Sequence, residues 1–352
     1  MSAPLLQVRE LKVHFRRRTG WRRSASVVHA VDGVSFVLTR GTAFGLVGES
    51  GCGKTTTALA LMQLVPVTSG SVELAGIDLT RLSGDALREQ RRHLQMVFQD
   101  PYSSLNPRER AGNLVRAPLD LMRIDTPRAR DERVANLFAA VGLRPEHRFL
   151  FPHQFSGGQR QRINIARALA TNPALVVCDE PVSALDVAVR AQTLNLLRRL
   201  QLEMGLTYFF ISHDIAVVAH LCDEVAVMYL GQIVEQAPRR AFFARPLHPY
   251  SRALIAAVPS MERGRQTART RLEGDPPNPL EPPRGCRFAP RCPYAQSICQ
   301  TTAPPLRAVD GATRAVACHF VDDSGRTLFV PFDHDRADAS MADRFAARTI
   351  PN

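Results

Sequence analysis

Lysine is almost absent from this chain. Lys12 and Lys54 are the two lysines among 45 basic residues, and all the others are arginine. A composition that nearly always writes arginine keeps lysine where a compact ammonium suits a phosphate better than a planar fork. Long apolar runs are missing too. None reaches the ~20 residues that a membrane-spanning helix needs, and the N-terminus lacks the apolar core of a secretory signal. The expectation is a protein made and kept in the cytoplasm, free to dock on something in the membrane. The basic clusters, Arg16 to Arg18 with Arg22 and Arg23, and Arg88 with Arg91 and Arg92, are short. The net charge of +12 therefore reads as arginine bias, and a nucleic-acid partner is not expected.

Against those absences stands one dense motif. Gly48, Glu49, Ser50, Gly51, Cys52, Gly53, Lys54 and Thr55 satisfy G-x-x-x-x-G-K-[ST] at every fixed position. An apolar run, 44 to 47, precedes it and a helix-compatible run, 56 to 65, follows. That is the strand, loop and helix the motif requires. Its glycines let backbone N–H groups and a helix N-terminus converge on one anion. Lys54 is placed for the β- and γ-phosphates and Thr55 for Mg²⁺, with Thr56 continuing the phosphate-facing backbone. The chain binds a nucleoside triphosphate.

Other candidates follow in order. Strand-like alternation over 5–15 and 27–38 flanks an arginine-rich loop at 16–23. Phe15, with Trp21 as second choice, is the aromatic available to stack on a nucleotide base; core packing is the competing role for Phe15. A short apolar strand at 94–98 ends on Gln99, a residue that suits a metal or a water but equally an ordinary strand-end cap. Residues 112–147 carry helical periodicity. Phe155, Ser156, Gly157, Gly158 and Gln159 then open a strongly helical run, a second set of free N–H groups facing an anion. A second such terminus suggests a nucleotide shared between two copies or partners.

The run 175–178 ends on Asp179 and Glu180, two carboxylates at the C-terminal end of a buried strand, where open α/β sheets place their chemistry. Asp179 suits Mg²⁺, through water, and Glu180 suits the attacking water. Ser183, Ala184, Leu185 and Asp186 lead into the next helix. A further buried strand, 208–212, ends on His213, within reach of a γ-phosphate.

This set, in this order, resembles the ATPases of ABC transporters over about residues 5–235. The resemblance implies an α/β P-loop fold with a RecA-like core, an antiparallel β subdomain and an α-helical signature subdomain near 100–170. It implies ATP and Mg²⁺ as ligands, with Thr55, Gln99 and Asp179 around the metal. It makes Gln99 the Q-loop, Phe155 to Gln159 the signature, Ser183 to Asp186 the D-loop, Glu180 the catalytic glutamate and His213 the switch histidine. Phe155 departs from the commoner leucine. Tandem cassettes or an inserted coiled coil, marks of ribosome- or DNA-directed relatives, are lacking.

The segments 98–107, 178–186 and 246–250, together with 273–293, are similar to oligopeptide/dipeptide permease ATPases, and the 16–26 insertion to their F-type subunit. That resemblance implies a second ATPase subunit of a different, D-type chain, two transmembrane permease subunits, an extracytoplasmic binding protein and a place on the cytoplasmic face of the membrane. Nickel and glycoside importers share these segments. Domains are expected at 1–235, 236–320 and 321–352, the last a polar tail. Beyond a proline-rich stretch, Cys286, Cys292, Cys299 and Cys318 are spaced C-x5-C-x6-C-x18-C. The spacing leaves zinc, a [4Fe–4S] cluster or free thiols open; the family resemblance implies the iron–sulfur cluster.

Overall fold

The computed structural model describes residues 4–19, 24–100, 103–257, 274–275 and 277–329. Among these, two sheets share one apolar layer. Strands β1 (Pro4–Thr19), β2 (Ser24–Thr39), β4 (Ser69–Leu74) and β5 (Ile77–Asp78) make an antiparallel sheet in the order β2-β1-β4-β5. The larger sheet has the order β11-β12-β10-β9-β3-β8-β7-β6. Its members are β3 (Ala43–Val47), β6 (Leu94–Val97), β7 (Leu175–Asp179), β8 (Thr207–Ser212), β9 (Glu224–Tyr229), β10 (Gln232–Pro238), β11 (Arg307–Val309) and β12 (Arg314–Val316).

Alternation of side chains along a strand feeds both faces of this sheet. Phe44, Phe209 and Ile211 pack against the antiparallel sheet, where Phe36 stacks on Phe44 with centroids 4.9 Å apart. Their neighbours Val47, Tyr208 and Phe210 face the opposite way, into a core shared with the helices. Being apolar on both faces, β3, β7 and β8 are buried at every position, the pattern of central parallel strands. Register aligns their ends: Val47 lies opposite Ser212, Asp179 opposite Ile211 and Val97 opposite Cys178. Everything just beyond those residues is gathered along one edge.

The helices are α1 (Lys54–Leu61), α2 (Gly84–Arg91), α3 (Ala111–Leu121), α4 (Pro127–Ala140), α5 (Gly157–Leu169), α6 (Val187–Met204), α7 (Ile215–Leu221), α8 (Arg239–Ala244), α9 (Pro249–Ala256) and α10 (Ser297–Thr301). The periodicity over 112–147 suggests one helical stretch, but the chain breaks it. Thr126 caps α4, accepting from Ala129 N, and Pro127 occupies the first turn, so the helix must restart there.

Two expectations change in the C-terminal third and one near the N-terminus. The boundary near 235 falls inside β10, and the hairpin β11–β12 extends the same sheet through Glu235 and Gln236. Residues 321–329 pack instead of trailing: Val321 is buried, and Phe329 stacks on Tyr294 at 4.3 Å. At the N-terminal end, β1 and β2 continue to Thr19 and from Ser24, leaving a shorter loop than 16–23. Trp21 and residues 330–352 lie outside the described residues.

Candidate nucleotide site

The loop between β3 and α1 curls around an open cavity of about 450 Å³. Residues 50–56 line it together with Gln99, Glu180 and His213. Gly53 stands at φ +111°, and a Cβ there would come within 2.1 Å of Ala30 O; a side chain would push the loop off β2. Lys54 Nζ donates to Gly48 O at 2.8 Å and Glu49 O at 2.9 Å, which fixes the ammonium at the loop's mouth. Only 5% of Lys54 is exposed, so its charge is poorly solvated and open to an anion. The N-terminus of α1 has no side-chain cap, leaving its N–H groups available.

Across the cavity, β7 ends on the carboxylate pair. Thr55 Oγ1 donates to Asp179 Oδ1 at 3.2 Å. Burial holds the Asp179 carboxyl above the usual range, offset in part by the Thr55 bond; a cation beside it would restore the charged form. Glu180 adopts φ +47°, a left-handed conformation uncommon for a side-chain-bearing residue and often found at functional positions. Its N–H is anchored to Ile211 O at 3.0 Å. Its carboxylate then accepts from Gln99 Nε2 at 2.9 Å and from His213 Nδ1 at 2.9 Å. Residues from three strand ends thus meet on one carboxylate. The Gln99 amide is engaged with Glu180 in this arrangement.

The two remaining motif segments sit apart from the cavity. Ser156 caps α5: its Oγ accepts from Gln159 N at 3.3 Å, and Gln159 Oε1 accepts from Ser156 N at 3.0 Å. Ser156 is exposed while Phe155 is buried in the helical core, so phenylalanine fills the place where leucine is commoner. Of 183–186, Ser183 Oγ donates to Glu180 O at 3.0 Å, Leu185 is buried and Asp186 caps α6; Ala184 is exposed. Phe15 pairs with Val28 across β1 and β2 and is 39% exposed, and it does not line the cavity; Val28, His29 and Ala30 of the neighbouring strand do.

Motif spacing also missed partners from the C-terminal region. Glu49 N donates to Tyr250 Oη at 2.9 Å, and its carboxylate accepts both terminal nitrogens of Arg291, at 2.7 and 3.0 Å. Pro279 lines the cavity and accepts from His29 N at 3.3 Å. Tyr250 sits in the Pro-Leu-His-Pro-Tyr segment, but no local pattern reveals that it reaches the loop.

The four late cysteines converge on a second, small cavity of about 20 Å³, lined also by His248, Phe288 and His319. Burial pushes the Cys292 thiol up to about 12 and Cys318 to about 11. His319 Nε2 is engaged elsewhere, donating to Thr302 O at 2.9 Å. Among the described residues, the His, Cys, Asp and Glu ligand atoms that lie within 4.8 Å of one another in a group of three are those of His14, His29 and Asp32. Asp32 there already receives Arg287 and lies 3.9 Å from Lys12 Nζ, two positive charges that oppose a cation.

The chain matches the model of the ABC transporter family over residues 31–183, and that of the oligopeptide/dipeptide transporter C-terminal region over 234–299. It is 51% identical over 321 residues to a peptide ABC transporter ATP-binding protein, y4tS, of Sinorhizobium fredii, covering 91% of this chain and 90% of the relative. The chain belongs to the ABC-transporter ATP-binding family. The oligopeptide transport ATP-binding protein AppF of Bacillus subtilis is 46% identical, with 90% of this ATPase and 97% of the relative covered. Among solved structures, the cassette MJ0796, a dimer bound to ADP and Pi, matches with TM-score 0.59 and 27% identity over 66% of this chain and 98% of that one. The chain is accordingly an ATPase subunit. No helix among the described residues is long and apolar enough to cross a membrane.

Proposed function

We propose that this ATPase drives import of di- or oligopeptides through a membrane permease. Glu180 carries the catalytic reading: it stands at a strand end opposite the phosphate loop, with both oxygens held by Gln99 and His213. In the proposed cycle, Lys54 and the N–H groups of 48–56 hold the triphosphate. Thr55 and Asp179, joined by Gln99, would hold Mg²⁺, which supplies positive charge to the phosphate oxygens when bound. Glu180 orients the attacking water and takes up its proton, and His213 fixes that carboxylate beside the γ-phosphate. Glu180→Gln is expected to keep nucleotide binding while hydrolysis falls by about 10³-fold or more, as loss of a general base predicts. Near-normal turnover in that variant sinks the assignment.

Peptide as cargo rests on the C-terminal region match and on the relatives' names. The exposed Ser156 segment supports a second cassette that closes over the ATP, with Ser183 to Asp186 proposed as the D-loop beside that interface. A groove of about 490 Å³, lined by Arg110, Asn113, Arg116, Arg148, Phe149 and Phe151, opens after the Gln99 loop. It suits a permease segment, which supports a peripheral position of the ATPase on the cytoplasmic face of the membrane. Binding proteins outside the membrane would act through that permease.

The C-terminal region reads as a cysteine module whose Cys286, Cys292, Cys299 and Cys318 would hold a [4Fe–4S] cluster. A single tetrahedral zinc at ~2.3 Å from each sulfur needs sulfurs about 3.8 Å apart. The four thiols surround one cavity without any three gathering within 4.8 Å, which suits the larger cluster. Buried thiols of raised pKa need a metal's charge to ionise. Cys286→Ser purified anaerobically is expected to lose bound iron and brown colour; full iron retention removes Cys286 from the ligand set.

A further inference from the structure

Glu49 is an awkward residue for a loop that receives a triphosphate. Its carboxylate hangs from the second position of the motif, and a bare negative charge there would repel the phosphates. The chain answers it from far away in sequence. Arg291 grips both carboxylate oxygens, and its side chain is only 5% exposed. Such a forked pair fixes orientation as well as charge. The guanidinium also donates to Tyr229 Oη at 3.4 Å and lies 5.9 Å from that ring's centroid. The turn that carries it is anchored by Phe288, buried against Tyr229, Tyr250 and His248.

A second arginine, four residues earlier, holds the same module to the other rim of the cavity. Arg287 donates to Asp32 and to Leu230 O, while Asp32 N is bonded to Gly231 O at 2.8 Å. Leu230 and Gly231 both line the nucleotide cavity. Cys286 and Cys292 bracket the two arginines in sequence. Gly285 makes the close approach possible: a Cβ there would come within 2.2 Å of Cys299 O.

We infer that Arg291 is a positioning residue for ATP: it neutralises and orients Glu49, and so makes the cysteine module part of the phosphate-binding apparatus. The inference rests on the reading that 48–56 hold the phosphates. Its ground is the geometry of one residue, Glu49, held at three points: its N–H donates to Tyr250, its backbone carbonyl accepts from Lys54, and its carboxylate accepts from Arg291.

Mg-ADP titration calorimetry on the full chain tests it, with ATP kinetics alongside. Arg291→Ala is expected to weaken ADP by about tenfold, the size of one freed charge near a phosphate in a partly solvated cleft. KM for ATP should rise in parallel while kcat stays within about twofold. Arg291→Lys, which keeps the charge without the fork, should lose about threefold. The deciding variant is the double, Glu49→Gln with Arg291→Ala, expected to return to within about threefold of the parent, because the repelling charge is gone. A double variant as weak as Arg291→Ala overturns the inference, since Arg291 would then only support the fold. Unchanged ADP affinity in both Arg291→Ala and Arg291→Lys overturns it as well. If the parent protein itself fails to bind ADP, it is the phosphate-loop reading that falls.

Discussion

Two helices begin with glycine-rich turns, and they treat their free N–H groups in opposite ways. At α1 no side chain caps the terminus, Lys54 is buried, and the loop is braced by Tyr250 and Arg291. At α5, Ser156 and Gln159 cap one another, and Ser156 is exposed away from the nucleotide cavity. The first terminus is uncapped but braced at the rim of its cavity, with its N–H groups available to an anion. The second is finished chemically but open structurally; it lacks a partner surface. On the proposed reading, the two termini are complementary halves of a nucleotide site that two cassettes share.

The sharpest way to break that contrast is to remove the charge from the braced half. Lys54→Ala is expected to weaken Mg-ADP binding by about 100-fold, since charge-assisted hydrogen bonds to a phosphate contribute about 1.5–3 kcal/mol each. A change of less than about threefold would mean that the loop backbone alone holds the phosphates. The open half should respond differently. Variants at Ser156 are expected to leave ADP binding by the same chain within about twofold, because Ser156 is absent from its cavity.

Local patterns disclosed much of this arrangement. Short apolar runs ending on Gln99, Asp179 and His213 point to buried strands with polar ends, and register then brings those ends together. The phosphate loop was readable because each fixed residue answers to one steric or electrostatic need. What the sequence hides is distance. β3 lies between β8 and β9, so its neighbours come from more than 150 residues away. Arg291 meets Glu49 across 242 positions, and neither residue carries a local sign of the other. Phe15 fails as a wall of the cavity for a related reason. Alternation says which residues of β1 share a face, but it does not say that the neighbouring strand β2 supplies the cavity wall, through Val28, His29 and Ala30.

The smallest effects separate two jobs that Ser156 performs at once. As a cap it accepts from Gln159 N, and Ser156→Ala should cost about 1 kcal/mol, seen as a melting shift of about 2–4 °C. In the proposed role, facing a partner's ATP, it should also tolerate no negative charge. Ser156→Asp retains an N-cap acceptor and favours the helix N-terminus, so the melting temperature should stay within about 1 °C of the parent. Hydrolysis in the assembled transporter should nonetheless fall by about tenfold or more, as a carboxylate meets the γ-phosphate of the opposing site. If Ser156→Asp melts normally and turns over ATP at the parental rate, Ser156 is a cap alone, and the open half of the site must lie elsewhere on the chain.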